Sequence, residues 1–227
     1  MAARLFASIR LASLVAKKDL IEELRTGYTL LTIFLFVVAA VAMTSFVIGP
    51  VLIPAELHAV LLWIIIFFAS QFIFNRSFVK EEEQGTASAL KLSTAPLNVY
   101  LGKLLSNLTL LSGLVLLTLF CYYFFVAPPG GGFLLVAAIA FAASTCLAGA
   151  STILSALAAK ADAGNALFVA LVFPVILPIL FTAAKLTEVV FRGAIFQEII
   201  SGLLFLISIA VVLITLSVLL FDYVWRD

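Results

Sequence analysis

Six long runs of apolar residues, none containing Asp, Glu, Lys or Arg, alternate with short polar segments along this chain. The runs cover approximately residues 28–48, 57–74, 104–126, 133–158, 166–184 and 199–221. Five of the six are about as long as, or longer than, a helix needs to cross a hydrocarbon layer of ~30 Å. The pattern predicts an all-α integral membrane protein with six transmembrane helices.

The connecting segments carry turn-forming residues that fix where the spans end. Gly49-Pro50 with Pro54 follows the first span, and residues 128–132 (PPGGG) and 160–165 (KADAGN) separate later ones. Glycine and proline at these positions are typical of tight turns and helix ends. The only long polar interruption between two spans is then the stretch 76–103, after the second span.

The first 26 residues differ from the rest because charges interrupt their apolar pattern. Leucine, isoleucine and alanine recur at spacings of three and four from Leu5 to Leu24, which is one face of a helix. No long uninterrupted apolar core precedes a cleavage site, so a cleavable signal peptide is not predicted. We expect an amphipathic interfacial helix over 1–26, followed by a transmembrane domain over 27–227. A solvated N-terminal helix is the alternative.

Composition supports a membrane location. Hydrophobic residues make up 65% of the chain and charged residues 11%, whereas soluble domains keep about a quarter of their residues charged. The net charge of +1 gives no reason to expect nucleic-acid binding. Cys121 and Cys146 both fall in apolar runs, which favours buried thiols over a disulfide or a metal pair.

The distribution of lysine and arginine predicts the orientation. If both termini are cytoplasmic, eleven of the 13 basic residues lie inside, and only Lys185 and Arg192 lie outside. Cytoplasmic loops carry this excess in membrane proteins. We predict a multi-pass membrane protein with cytoplasmic termini, and the loop over 75–103 is then also cytoplasmic.

Candidate chemistry within the spans is sparse. His58 is the one histidine; it could be an axial haem ligand or a pH sensor, but a histidine near a span end is more often an interfacial polar residue. No zinc spacing, catalytic triad or phosphate-binding loop occurs. Ion-driven carriers usually hold ionisable residues inside the membrane, and here the spans lack Asp, Glu, Lys and Arg. Energy for any transport should therefore come from a partner.

The long polar loop is the candidate place for such a partner to act. Residues 78–84 can continue the second span as a charged helix that ends at Gly85. Thr86 can cap a short helix that exposes Leu90 and Leu92, and Pro96 suits the first turn of the next helix, capped by Ser93 or Thr94. The alternative is an ordinary solvated loop.

Two later spans have unusual composition. Small residues repeat every four positions in the fourth span, at Ala138, Ala142, Cys146 and Ala150, and permit close helix packing within one subunit or across a dimer. The fifth contains Pro174 and Pro178, which predict a helix kink that is either static or a hinge. The mixed segment 185–200 is expected to form a short interfacial or re-entrant helix.

These features together resemble the permease half of ABC-2-type exporters, and more closely the B subunit of the haem exporter of cytochrome c maturation. In that family an arginine, an acidic stretch, a glycine, a leucine-bearing segment and a proline follow the second span. The corresponding residues here are Arg76, Glu81, Glu82, Glu83, Gly85, Leu90, Leu92 and Pro96. The two-proline block at 173–184 (FPVILPILFTAA) is a second similarity.

The resemblance implies that these loop residues couple to a cytoplasmic ABC ATPase and that this chain is not itself an enzyme. It also implies a second copy of the chain, a haem-handling membrane subunit with a tryptophan-rich motif, a small accessory membrane subunit and a periplasmic haem chaperone. ATP and haem would belong to the complex, with no cofactor bound by this chain, and the location implied is the bacterial inner membrane.

Three functions remain open from the sequence. The first is a permease subunit for c-type cytochrome biogenesis, coupling ATP hydrolysis to haem export or to release of haem-loaded chaperone. The second is an ABC-2 permease that exports a lipid, drug or glycan. The third is a scaffold that anchors assembly factors without transport.

Overall fold

The computed structural model describes residues 2–49, 53–74, 77–78, 81, 85–86, 90, 92, 94–160 and 164–226. Across these ranges it contains seven long helices and no β-strand. They are α1 (Ala2–Thr26), α2 (Tyr28–Ile48), α3 (Ala55–Phe74), α4 (Pro96–Phe125), α5 (Phe133–Lys160), α6 (Gly164–Phe191) and α7 (Phe196–Arg226). Helices α2 to α7 are each long and apolar enough to cross a membrane, which confirms the predicted all-α fold with six spans.

The boundaries differ from the predicted ones at two places. Helix α4 begins at Pro96, so residues 96–103 are its first two turns and the loop after α3 ends at Ala95. Pro96 does lie in the first turn, as predicted, because a proline there sacrifices no helical hydrogen bond. The N-cap is Ala95, which makes no side-chain cap, so the predicted cap by Thr94 is wrong. The Thr94 hydroxyl instead accepts a 2.9 Å hydrogen bond from the Asn98 amide.

The segment 185–200 does not form a separate helix. Residues 185–191 are the last two turns of α6, and α7 begins at Phe196 after a turn at Arg192 and Gly193. The apolar positions of this segment explain why: Val190 and Phe191 are buried in the same core as the span that precedes them. The prediction of an interfacial or re-entrant helix is therefore wrong.

Helix α5 lies at the centre of the bundle, packed against α4, α6 and α7. Gly149 makes the approach to α7 possible, since a β-carbon there would lie 3.0 Å from Cγ1 of Ile214. Cys146 and Ala150 are buried, while Ala138 of the same stripe is exposed. The part of the small-residue stripe that contains Cys146 and Ala150 thus packs within one subunit. Both cysteines are free and buried, as expected from their apolar surroundings.

Helix α6 continues through both of its prolines. Pro174 and Pro178 lie on an exposed face, and Val172, Ile176 and Ile179 form the opposite, buried face. The Thr182 hydroxyl donates a 2.9 Å hydrogen bond to the carbonyl of Pro178. Whether the prolines act as a hinge stays a prediction.

The contacts between helix ends divide the molecule into two sides. On one, which we call the loop side, the residues after α3 meet α1, the start of α4 and the end of α7. On the opposite side the end of α6 meets the start of α3, and the end of α2 meets the end of α4. Helix α1 and the end of α7 therefore belong to the loop side.

Candidate functional site

A buried carboxylate ties the polar loop to two helices. The side chain of Glu81 is 5% exposed, and its Oε1 accepts hydrogen bonds from Nζ of Lys18 in α1 at 2.6 Å and from Nζ of Lys103 in α4 at 2.9 Å. Thr86, further along the loop, donates to the other oxygen, Oε2, at 2.5 Å. One side chain of the loop is thus bonded to α1, to α4 and to the loop itself.

A second carboxylate completes the cluster. Asp19 of α1 lies 3.0 Å from Nζ of Lys103 and 3.2 Å from Nζ of Lys18. Two lysines and two carboxylates balance one another, and we call Lys18, Asp19, Glu81 and Lys103 the charge cluster. Buried charges persist in proteins only when they are paired and hydrogen-bonded in this way.

The electrostatics of the cluster favour its charged form. Burial would raise the pKa of the Glu81 carboxyl, but the charge of Lys103 and the hydrogen bonds from Lys18, Thr86 and Lys103 outweigh it and lower the pKa from 4.5 to about 2. Burial would lower the pKa of Lys18, but its contacts with Glu81 and Asp19 raise it above 10.5. Both groups therefore stay charged at neutral pH.

The cluster borders a small polar cavity of about 30 Å³. Ser106 and Asn107 of α4 line it beside Asp19, Glu81 and Lys103. A space of this size holds roughly one or two water molecules. The Asn107 amide also donates to Ser77 of the loop at 3.2 Å and to Thr152 of α5 at 3.0 Å, so polar contacts continue from the loop into the bundle.

An aromatic contact anchors the loop at a second point. The ring of Phe78 is fully buried, with centroid distances of 5.7 Å to Phe221 and 5.9 Å to Trp225 at the end of α7. Tyr100 of α4 joins the same group, 5.4 Å from Phe221. Aromatic pairs at these separations each add about 0.5–1.5 kcal/mol beyond area burial. Through Phe78 the loop is thus packed on the last span.

Helix α1 lies directly on α4. A β-carbon added at Gly102 would lie 2.6 Å from Cβ of Val15 and 2.9 Å from the carbonyl oxygen of Ala12. Ser8 also hydrogen-bonds to Asn98 at the start of α4. The face of α1 that meets the protein contains Ala12, Val15 and Ala16, whereas Ile9 and Leu24, predicted to share one apolar face with Ala12, are exposed.

The predicted coupling residues differ in their exposure to solvent. Leu92 is 91% exposed, but Leu90 is half-buried against the core, so the two do not form one exposed pair. Gly85 has φ +66°, a left-handed conformation that suits a helix stop. Arg76, Glu82 and Glu83 lie outside the described residues.

The structure describes part of the predicted helices in the loop. Helix α3 ends at Phe74, and Ser77 and Phe78 lie in a turn, so the predicted charged helix does not continue α3 directly, although Glu81 is itself helical. The Leu90 N–H donates a 3.0 Å hydrogen bond to the carbonyl of Thr86, as at the start of a helix, and the Thr86 hydroxyl bonds the carboxylate and carbonyl of Glu81. Glu81, predicted as a contact for a partner, faces inward and contacts α1 and α4.

Sequence reasoning missed Lys103, Asp19 and Phe78 as site residues. Lys103 was assigned to the loop, although it is flanked by apolar residues on both sides and lies within α4. A lysine in that setting is a signal for a buried carboxylate partner, since lysine is almost never fully buried unless paired. No comparable signal marks Phe78, because the chain contains 21 phenylalanines.

The opposite side holds His58. Its Nδ1 lies 3.2 Å from the Tyr122 hydroxyl, which donates to the carbonyl of His58 at 3.1 Å, and its ring meets Phe191 edge-on. Nearby, Arg192 pairs with Glu56 and, at 2.9 Å, with Glu188. Within the described ranges no three histidine, cysteine or acidic side chains are grouped to hold a metal ion.

The model of the CcmB protein family matches residues 10–223, nearly the whole chain. The chain belongs to the CcmB family. This family supplies a membrane permease subunit of the haem exporter in cytochrome c maturation, so the resemblance suggested by the loop and the two-proline block is confirmed. A comparison with curated proteins finds no match.

Proposed function

We propose that this CcmB-family chain couples ATP hydrolysis by a partner ABC ATPase to haem export or to release of haem-loaded periplasmic chaperone. The observation that carries the proposal is the double anchoring of one loop, through Glu81 to α1 and α4 and through Phe78 to α7. A displacement of the loop would therefore reach three helices. A loop fixed in this way suits the transmission of force better than a solvated connector.

An exposed apolar residue supplies the proposed point of contact. Leu92 is 91% exposed, so most of its side chain is available to a partner. We propose that the segment around Leu90 and Leu92 docks on the ATPase, with Arg76, Glu82, Glu83 and Gly85 alongside. In this arrangement Glu81 and Pro96 act internally, by holding the loop on α4.

Contact with a cytoplasmic ATPase requires the loop side to face the cytoplasm. In the sequence, the segments that this orientation puts in the cytoplasm carry eleven of the 13 lysines and arginines, in agreement with the positive-inside rule. Lys185 and Arg192 lie on the opposite side, where each contacts Glu188. We propose the bacterial inner membrane as the location, with both termini in the cytoplasm.

The complex would contain further chains. We propose a second copy of this chain, a haem-handling membrane subunit with a tryptophan-rich motif, a small accessory membrane subunit and a periplasmic haem chaperone. ATP binds the ATPase, and haem binds the haem-handling subunit and the chaperone in this scheme. In this scheme the present chain transmits the movement of the ATPase to the membrane helices and binds neither ATP nor haem.

Purification of the native complex tests the proposal. The chain is tagged at its C-terminus, extracted in mild detergent and assayed for a co-purifying ATPase, for ATP turnover and for haem absorbance. We expect an ATPase subunit in the complex and loss of c-type cytochromes when its ATP site is inactivated. Normal cytochrome assembly with an inactive ATPase would instead favour a scaffold without coupling.

A further inference from the structure

We infer that Glu81 and Lys103 are positioning residues whose ionic contact makes α1 move together with the loop and α4. The inference deepens the proposed coupling function and rests on it for its transport consequence. It adds α1 to the helices that respond to the loop. No residue of α1 is among the expected coupling residues, so this link comes from the structure alone.

The geometry leaves α1 little freedom to move separately. Lys18 and Asp19 are adjacent in α1, and each contacts Lys103 or Glu81 at 2.6–3.0 Å. One turn earlier, the Val15 side chain lies in the space left by the missing side chain of Gly102. Sliding of α1 along α4 would therefore separate paired charges and would also drive Val15 against the backbone of α4.

The burial of each charge determines how much its ionic contacts contribute to holding α1 in place. Glu81 and Lys103 are 5% and 4% exposed, whereas the Lys18 side chain is about half exposed. Ion pairs near water contribute little, but a buried charge that loses its partner is strongly unfavourable. The Glu81–Lys103 pair is therefore the part of the charge cluster that cannot be broken without a large effect.

Substitutions in the charge cluster can distinguish the effect of an unbalanced charge from the effect of losing the ionic contact. Among the described residues, Lys103→Met leaves the carboxylates of Glu81 and Asp19 with Lys18 as their one lysine partner, so negative charge in the cluster exceeds positive charge by one. The double variant Glu81→Gln/Lys103→Met removes one charge of each sign and leaves the Lys18–Asp19 pair, 3.2 Å apart, in place. Neutral replacement of both members of a buried pair is often tolerated by the fold. The double variant should thus fold, although it lacks the ionic contacts that connect α1 to the loop and to α4.

A conservative variant provides the matched rescue. Lys103→Arg keeps the positive charge, and the cavity of about 30 Å³ beside Lys103 offers room for part of the larger guanidinium group. Lys185→Met is the control for loss of a lysine as such, because Lys185 forms an exposed pair with Glu188 on the opposite side. Both variants should retain wild-type function within about twofold, as expected of a preserved or surface ion pair.

The experiment measures two quantities in the purified native complex and one in cells. Hydrogen exchange of the α1 amides reports whether α1 remains tied to α4, and ATPase co-purification with ATP turnover reports docking. The yield of c-type cytochromes reports coupling. For the double variant we expect exchange in α1 to rise, and cytochrome yield to fall, each by at least about fivefold, the lower end of ordinary coupling between sites. ATPase binding should persist.

The outcomes distinguish the inference from the function on which it rests. Unchanged exchange in α1, or wild-type cytochrome yield in the double variant, would overturn the inference. Loss of function in Lys103→Arg as large as in the double variant would also overturn it, since the positive charge is kept. A wild-type complex that contains no ATPase would overturn the proposed function, while the exchange result would still decide whether Glu81 and Lys103 hold α1.

Discussion

Gly102 in α4 and Val15 in α1 approach so closely that a β-carbon on the glycine would lie 2.6 Å from Cβ of the valine. That distance is far inside van der Waals contact, so no other residue fits at position 102 without a shift of α1. The N-terminal helix is therefore packed on the transmembrane bundle and is not an independent surface element. The charge cluster lies one turn further along the same seam.

We expect Gly102→Ala to destabilise the contact between α1 and α4 by about 1–3 kcal/mol, the usual cost of overpacking. Limited proteolysis and thermal unfolding in detergent would measure it. Gly113→Ala is the matched control, because Gly113 lies in the same helix with no atom within 4 Å of an added β-carbon. There alanine should be neutral or stabilising by up to ~1 kcal/mol through its helix propensity. Equal behaviour of the two variants would contradict the close approach.

The attachment of α1 should depend on pH only at the extremes. The pKa of Glu81 is lowered from 4.5 to about 2, so its stabilising contribution is complete above pH 4.5 and is lost as the pH falls toward 2. The shift corresponds to roughly 3 kcal/mol. The pKa of Lys18 is raised above 10.5, so its contribution is complete below that value and is lost only at higher pH.

Hydrogen exchange of α1 measured between pH 3 and pH 8, corrected for intrinsic rates, would test this dependence. Glu81→Gln should abolish most of the change on the acidic side, because the amide does not titrate. Acid sensitivity that is the same in the variant would assign the effect to other groups.

Leu92→Asp should weaken ATPase co-purification without lowering the unfolding temperature, because the side chain is 91% exposed. Truncation of an interface anchor commonly costs more than ~1 kcal/mol of binding. Leu90→Asp should behave differently and destabilise the loop, since Leu90 packs partly against the core. Leu92→Met keeps an apolar side chain and serves as the control. Full binding by Leu92→Asp would mean that the ATPase docks elsewhere.

His58→Ala should leave cytochrome c assembly largely intact and cost roughly 1–3 kcal/mol of stability through a lost hydrogen bond. Tyr122→Phe removes the same hydroxyl contact while leaving the imidazole in place. The pair of variants separates two roles of His58. A loss of haem absorbance in His58→Ala, but not in Tyr122→Phe, would make the histidine a haem ligand and refute its assignment as a structural residue.

Cysteine labelling would check the orientation. Leu92→Cys should react with a membrane-impermeant maleimide only after the cytoplasmic side is opened, and Pro129→Cys should react from outside. Both positions are exposed, and the native Cys121 and Cys146 are buried and should stay unlabelled. The reverse pattern would place the loop in the periplasm and remove the basis for an ATPase contact.

Local features of the sequence were sufficient to predict the six membrane helices and the family. The spans of charge-free residues must be helical in a bilayer, because every backbone polar group has to be satisfied within the segment. Pro96 at the start of α4 and the left-handed conformation of Gly85 follow from the chemistry of single residues. The order of acidic residues, glycine, leucines and proline identified the family that residues 10–223 match.

Contacts between residues far apart in the chain required the tertiary structure. Lys18 and Glu81 are 63 positions apart, and Phe78 meets Trp225 at the other end of the chain. Glu81 in sequence looks like one member of a solvated acidic run, and only its burial beside Lys103 and α1 makes it an internal anchor. The sequence determined a polar loop between two membrane helices, because composition and periodicity are local. The fold decided what that loop holds, because pairing of buried charges depends on which helices are brought together.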